Sequence, residues 1–234
     1  MKKIDVSYGD LVCEYAICTF PYGSRIYGTN SQESDFDYIY VVDDKSVEEL
    51  DDQYVFHSDY DPVNYVFHSD YDPVNKVYVD YFHEINISIY GKTKFQQMCD
   101  DHHISALECI FLPDNMIKNQ ITDHKFKFEL NLQQLRKSIS EKASHSWVKA
   151  KKKFEVESDR NIYIGKKSLF HSIRIIDFGI QIARYGKIEY YNSGVDLWLR
   201  IKDIQSENWK DYEEEFKPIF NEMMSEFRKL APKG

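Results

Sequence analysis

The chain has 234 residues, 42% of them hydrophobic and 15% aromatic, with a net charge of −9. That length suits one large domain or two small ones and is enough to bury a core. The absence of any apolar run near ~18 residues, or of a signal-peptide pattern, argues against membrane-spanning and secretory classes. The expectation is therefore a cytoplasmic protein with no membrane partner. Its four cysteines, Cys13, Cys18, Cys99 and Cys109, show no CxxC pairing or zinc spacing and read as reduced, mostly buried thiols.

The charge is unevenly spread. Residues 1–117 carry 7 Lys/Arg against 22 Asp/Glu, and residues 118–234 carry 23 against 17. A basic second half suits contact with the phosphates of a nucleotide or of RNA. Lysines and glutamates decorating solvent-facing helices would give the same balance.

Residues 1–13 read as a short strand or helix leading into a first central strand, Ala16 to Tyr22. A Gly23–Ser24 turn follows. Ten residues later, Asp35-Phe36-Asp37 opens a second apolar run, Tyr38 to Val42. Side chains alternate along an extended strand, so Asp35 and Asp37 share a face about 7 Å apart. Two such carboxylates repel each other unless a cation lies between them. Magnesium takes one or two carboxylates together with substrate phosphate oxygens. Glycine lets backbone approach a ligand closely, and N–H groups at a turn entering a helix can cradle phosphate. The alternative is a polar hairpin whose aspartates are simply solvated.

Residues 43–53 are acidic and polar, with a short helix predicted at Ser46-Val47-Glu48-Glu49-Leu50. The undecapeptide YVFHSDYDPVN then occurs twice in tandem, at 54–64 and 65–75. Such a unit is too short for a solenoid repeat. It reads as an insertion in a surface loop that makes a lengthened polar hairpin with Asp-Pro turns, disordered or an extended ribbon, because two identical copies compete for one register. Its histidines and aspartates make a metal site the less favoured reading.

Residues 77–90 read as two strands or one bent strand, with Ile85, Ile87 and Ile89 alternating against Glu84, Asn86 and Ser88. Helices are predicted from Thr93 to about Asp100 and over ISALECIFLP, ending at Pro113. A boundary near residues 115–122 divides a core at 1–117 from a helical, basic region at 118–234. In the second region a long helix is predicted from Phe128 to Lys153. Another, Gly165 to Tyr185, has Leu169, Ile173, Ile176, Phe178 and Ile182 broadly on one face and Gly186 as its stop. The last runs from about Trp209 to Leu230. The expected class is α/β (α+β), a small mixed-sheet core followed by a helical half.

The Gly-Ser turn, the ten-residue spacing and the DFD strand resemble the signature of the polymerase-beta-like nucleotidyltransferase superfamily. The fuller strings YGSRIYGT and SDFDYIYVV are similar to its RNA-repair-pathway and minimal-nucleotidyltransferase branch. KTKFQQM, ISALECIFLP, KKSLFHSIRII and GIQIARYGKI extend the resemblance to most of the chain between Ala16 and Ile188; the duplicated segment lies outside the family pattern.

The resemblance implies a magnesium-dependent (or manganese-dependent) transfer of NMP from an NTP, with ATP favoured. The acceptor would be an RNA 3′ end such as that of tRNA, or less favourably a protein hydroxyl or a small molecule. Asp35 and Asp37 would hold metal. Gly23 and Ser24 would hold the terminal phosphates, and Arg25 would neutralise charge on the leaving group or make a surface ion pair. Lys167, His171 and Arg174, at i, i+4 and i+7 beside Lys166, would meet phosphate or form an exposed basic stripe.

A second metal needs a third carboxylate. At the corresponding position this chain has Asn86, whose neutral amide binds magnesium weakly and takes no proton. Glu84 on the same strand could substitute, or Asp80 if the strand bends. The competing expectation is a weakened or inactive nucleotide- or RNA-binding protein that keeps the fold. Glu108 reads equally as catalytic or structural. Lys149, Lys151, Lys152 and Lys153 read as a solvated face, and Tyr190 and Tyr191 as helix packing rather than base stacking.

Overall fold

The computed structural model describes residues 3–7, 10–12, 16–32, 34–48, 55–58, 70–72, 77–82, 85–113, 116, 119–120 and 125–233. The chain forms two compact units. One comprises residues 1–26, 30–100 and 108–128, and the other residues 27–29, 101–107 and 129–234. The architecture is α+β, with mixed sheet in the first unit and helices in the second.

The first unit is built on a six-stranded sheet. Its core strands are β3 (Ala16–Tyr22), β4 (Phe36–Val42), β7 (Val77–Phe82) and β8 (Ile85–Gly91). With the edge strands β6 (Asp70–Asp72) and β9 (Asn119–Gln120), the order is β6-β7-β8-β4-β3-β9. Only β4 and β8 pair in parallel, and the other neighbours are antiparallel. Tyr38 to Val42 are all buried. A strand between two partners and covered on both faces reads as a continuous apolar run, without alternation.

The predicted two strands at 77–90 are present and antiparallel. The ambiguous start of the chain is two strands, β1 (Lys3–Ser7) and β2 (Asp10–Val12). They form a second sheet with β5 (Val55–Ser58), in the order β2-β1-β5.

The described residues of the duplicated segment are extended, and they pair with strands outside the repeat and not with each other as a hairpin would. The first copy supplies β5, parallel to β1, and the second supplies β6, antiparallel to β7. β5 is the VFHS stretch of the first copy and β6 the DYD stretch of the second, each extended where a partner strand is available. The remaining residues of the two copies lie outside the described residues.

A turn of helix, α2 (Asp44–Glu48), sits where the SVEEL helix was expected, two residues earlier. Its Asp44 carboxylate accepts from the Thr93 backbone N–H at 3.0 Å, capping α3 (Lys92–Asp100). Phe95 of α3 is fully buried, with Phe126, Phe20 and Tyr90 rings 4.7, 5.7 and 6.2 Å from its own. α4 (Ile104–Ile110) closes the ISALECI segment three residues before Pro113.

The second unit is a bundle around α6 (Ile162–Tyr185), which is buried on nearly every side rather than along one stripe. Its partner α5 (Leu132–Glu155) starts four residues later than predicted. The Asn131 side chain caps it by accepting from the Gln133 and Gln134 N–H groups. Gly165 lies against Phe154 and Gly179 against Ile139, so the two helices run antiparallel in close contact.

α8 (Trp209–Leu230) matches its predicted bounds and completes the core through Trp209, Tyr212, Phe216, Phe220 and Phe227. Gly186 ends α6 at φ +74°, the left-handed stop expected of it. Sequence periodicity missed the nine-residue α7 (Val195–Asp203). Among the described residues no helix is long and apolar enough to cross a membrane.

Candidate active site

The site begins with the turn between β3 and the four-residue α1 (Ser24–Tyr27). Gly23 takes φ +79°, and the Ile26 N–H closes onto its carbonyl at 3.0 Å. In the β3–β4 ladder Tyr22 pairs with Asp37, which puts Gly23 beside the second aspartate. A Cβ at position 23 would lie 2.0 Å from Asp37 Oδ2 and 2.8 Å from its Cγ. Glycine is required here twice, for the dihedral and for the space, and the carboxylate occupies that space. The Gly-Ser turn and the DFD strand therefore meet in one place.

Strand β4 begins at Phe36, so Asp35 is the residue entering the strand and Asp37 its second residue. Asp35 is exposed and Asp37 half-buried. The entry is held by Arg25, whose Nη2 donates to the Ser34 carbonyl at 2.5 Å and whose Nε donates to the Asp35 carbonyl at 3.3 Å. The same guanidinium lies 3.6 Å from the centre of the Phe36 ring. Arg25 thus fixes the backbone that presents Asp35. Ser34 is held in turn by the Ser31 N–H, which donates to its hydroxyl at 2.8 Å.

On the other side of β4, parallel pairing makes Asn86 the cross-strand neighbour of Asp37. Asp80 is paired instead with Ile87, one step out of phase. Glu84 and the side chain of Asn86 lie outside the described residues. Among the described residues no three His, Cys, Asp or Glu side chains form a metal-binding group. Two carboxylates at a strand entry, one set against a glycine that leaves it room, do fit a hard divalent cation completed by substrate oxygens.

The predicted cations of α6 do not line one exposed stripe; they descend from surface to core. Lys167 is exposed, its ammonium 4.7 Å from the centre of the Tyr163 ring. His171 is half-buried. Arg174 is 2% exposed, stacked 3.5 Å over Tyr27 and 4.9 Å from Phe178.

Arg174 Nη2 lies 2.7 Å from His171 Nδ1. A guanidinium only donates, so Nδ1 accepts and the neutral ring carries its proton on Nε2. Burial, then the charges of Arg174, Lys142 and Lys149, hold the imidazole well below its usual pKa. Neighbouring Lys166 has another duty. Its ammonium donates to the Lys202 and Ile204 carbonyls at 3.0 and 2.5 Å, satisfying the end of α7.

The remaining candidates lie in varied surroundings. Glu108 is 2% exposed. Its charge, after burial itself, contributes to pushing the neighbouring Cys109 thiol up. Cys18, Cys99 and Cys109 are buried free thiols, with burial raising Cys18 to about 11 and Cys99 to about 12. Cys13 lies outside the described residues. Lys151 pairs with Glu155, and Lys152 and Lys153 with Asp159. Tyr191 packs edge-on against Phe178, whereas Tyr190 is 60% exposed.

The sequence reading missed the clasp that presents Tyr190. Gln181 Oε1 accepts from the Glu189 and Tyr190 N–H groups, and its Nε2 donates to Asp177 and to the Tyr190 carbonyl. An Asp and a Gln four apart on a helix just before its Gly stop were the only signal.

No family model matches the chain, and no curated protein matches it. Among solved structures it is similar to an aminoglycoside 6-adenyltransferase from Bacillus subtilis. The identity is 11% and the TM-score 0.28, over 95% of this chain and 87% of that one. At that score the similarity decides nothing about activity.

Proposed function

We propose that this chain is a nucleotidyltransferase that moves NMP from an NTP, with ATP favoured, to an acceptor. An RNA 3′ end ranks ahead of a protein hydroxyl or a small molecule. The observation that carries this reading is the seat of the Asp37 carboxylate against Gly23, which joins the phosphate-cradling turn to the acidic strand.

In this reading Asp35 and Asp37 hold magnesium, or manganese in its place. When bound, the ion would supply charge neutralisation at the transferring phosphate and favour loss of the acceptor hydroxyl's proton. Gly23 leaves room for Asp37 and turns the chain. Ser24 offers its hydroxyl and N–H to phosphate oxygens. Arg25 keeps the backbone of Ser34 and Asp35 in place. Lys167 and the Nε2–H of His171 are donors suited to phosphate, and Arg174 fixes the His171 tautomer.

A second reading has its own observation, the asparagine paired with Asp37 in the ladder. Position 86 cannot take a proton, which fits a nucleotide- or RNA-binding protein without turnover. Labelled NTPs with magnesium, with and without tRNA, separate the two. Label transfer that disappears in Asp35→Asn and Asp37→Asn, with the melting temperature kept, supports the enzyme. Saturable, magnesium-dependent NTP binding with no transfer to any acceptor supports the binding protein. If wild type binds neither NTP in the presence of magnesium nor tRNA, both readings fall.

A further inference from the structure

A cleft of about 720 Å³ in the helical unit takes no part in the site described above. It lies between the first half of α5 and the C-terminal end of α8. Its cations are Arg136 and Lys137 from α5 and Arg228 and Lys233 from α8 and the segment after it, against a single acid, Glu141. Elsewhere in this unit exposed arginines are matched to acids: Arg160 to Glu207, Arg184 to Glu226 and Arg200 to Glu215. Among the described residues none of the four cleft cations makes an ion pair.

Arg136 is held in place by donating from Nη1 to the Arg228 and Ala231 carbonyls, at 2.9 and 2.8 Å. Cations following the C-terminus of α8 are favoured by its dipole. Arg136 gains from the same end of α8 through those carbonyls, whereas Lys137, near the start of α5, has no such support, and the number of cations exceeds what one helix end explains. Four like charges gathered beside one acid repel one another until an anion arrives.

We propose that this cleft binds the phosphodiester backbone of a single-stranded nucleic acid. The volume far exceeds one phosphate, so a chain of anionic groups suits it better than a lone ion. The lining holds no aromatic ring for a base to stack on, and its remaining donors, Gln133 and Ser140, are also suited to phosphate oxygens. Recognition is therefore of backbone charge and is insensitive to base sequence. The inference needs neither metal nor transfer, and it stands whichever reading of Asp35 and Asp37 holds.

The test is fluorescence anisotropy of a labelled single-stranded RNA oligonucleotide with the full chain, in EDTA and without NTP, across a salt series. The double variant Arg228→Gln/Lys233→Gln removes two exposed cations that pair with no acid among the described residues. Losing two phosphate contacts should flatten the log–log salt slope by about 1.4 and weaken binding roughly ten- to thirtyfold at about 0.1 M salt. Lys202→Gln/Lys210→Gln, with the same charge change on α7 and α8 away from the cleft, should stay within about twofold, since only contacted phosphates release counterions.

Equal losses in the two double variants would reduce the effect to net charge and overturn the proposal. So would an absence of RNA binding by wild type. A cleft-dependent signal seen with pyrophosphate or with phosphatidylglycerol vesicles, but not with RNA, would assign the cleft to another anion and also overturn it.

Discussion

The two units carry their candidate residues in different ways. In the sheet unit Gly23, Asp35 and Asp37 stand at strand ends, where a turn of fixed length and a ladder of fixed register leave little freedom. In the helical unit Lys167, His171 and Arg174 share a helical face yet run from exposed to 2% exposed within two turns. Spacing between strands fixes position, whereas periodicity along a helix fixes direction but not depth. Depth depends on what packs alongside, here Tyr27 and Phe178 over Arg174. A cation inside the bundle can hold structure together as readily as it can hold a ligand.

Gly23→Ala should have the largest effect. The left-handed dihedral costs a non-glycine residue about 1–3 kcal/mol, and the new Cβ also collides with the Asp37 carboxylate 2.0 Å away. Magnesium-dependent NTP binding should fall more than ~10-fold if a displaced Asp37 loses metal contact worth at least ~1.4 kcal/mol. Gly186→Ala is the control, because its φ is also positive but nothing lies within 4 Å of the added carbon. Isothermal titration with both variants would break the comparison if Gly186→Ala lost as much affinity.

Arg174→Met ranks next. It removes a buried stack on Tyr27 and leaves His171 Nδ1 without its donor, a loss of about 2–4 kcal/mol. The melting temperature should fall by about 5–10 °C. Lys167→Met, on the exposed end of the same face, should stay within about 0.5 kcal/mol. Equal stability losses would mean that depth does not separate these two cations.

Deleting one YVFHSDYDPVN copy probes the sheet unit. Removing 54–64 or 65–75 gives the same chain, in which VFHS and DYD are contiguous and cannot reach β1 and β7 as separate strands. One ladder should be lost, a cost of about 1–3 kcal/mol from a few backbone hydrogen bonds. Hydrogen exchange would locate the loss at β1–β5 or at β6–β7. Unchanged protection in both would return the second copy to the status of a loop.

Much of the scaffold was legible because its signals are local. Gly186 as a stop, the bounds of α8 and the buried run of β4 each follow from residue type and order. Asn131 as the cap of α5 was equally readable, and the helix was drawn too long because that cap was passed over. What escaped depended on distant partners. Two stretches of the repeated undecapeptide form strands, and nothing in their own sequence names β1 and β7 as the partners. The type of residue at position 25 suggests charge neutralisation, and nothing local announces that the carbonyls of Ser34 and Asp35, nine and ten residues on, also engage its Nη2 and Nε. The cleft cations lie nearly one hundred residues apart in sequence and meet only because α8 returns along α5.

The smallest expected effect comes from His171 and is confined to one pH range. Its folded-state pKa is lowered, first by burial and then by Arg174, Lys142 and Lys149, from an ordinary value of 6.5. Above that value the ring is neutral in both folded and unfolded chains, and pH does not shift the balance through it. As pH falls below 6.5, the unfolded chain takes up a proton that the folded chain still refuses. Stability must then drop, with a limiting slope of about 1.4 kcal/mol per pH unit, until the lowered folded pKa is reached. His171→Gln keeps a carbonyl acceptor for Arg174 Nη2 and has no proton to gain. Melting temperatures of wild type and variant should therefore run parallel above about pH 6.5 and converge or cross below it, as only wild type loses stability through this group. Curves that stay parallel through the acid range would show that His171 titrates alike in both states, and that the cations around it leave it unperturbed.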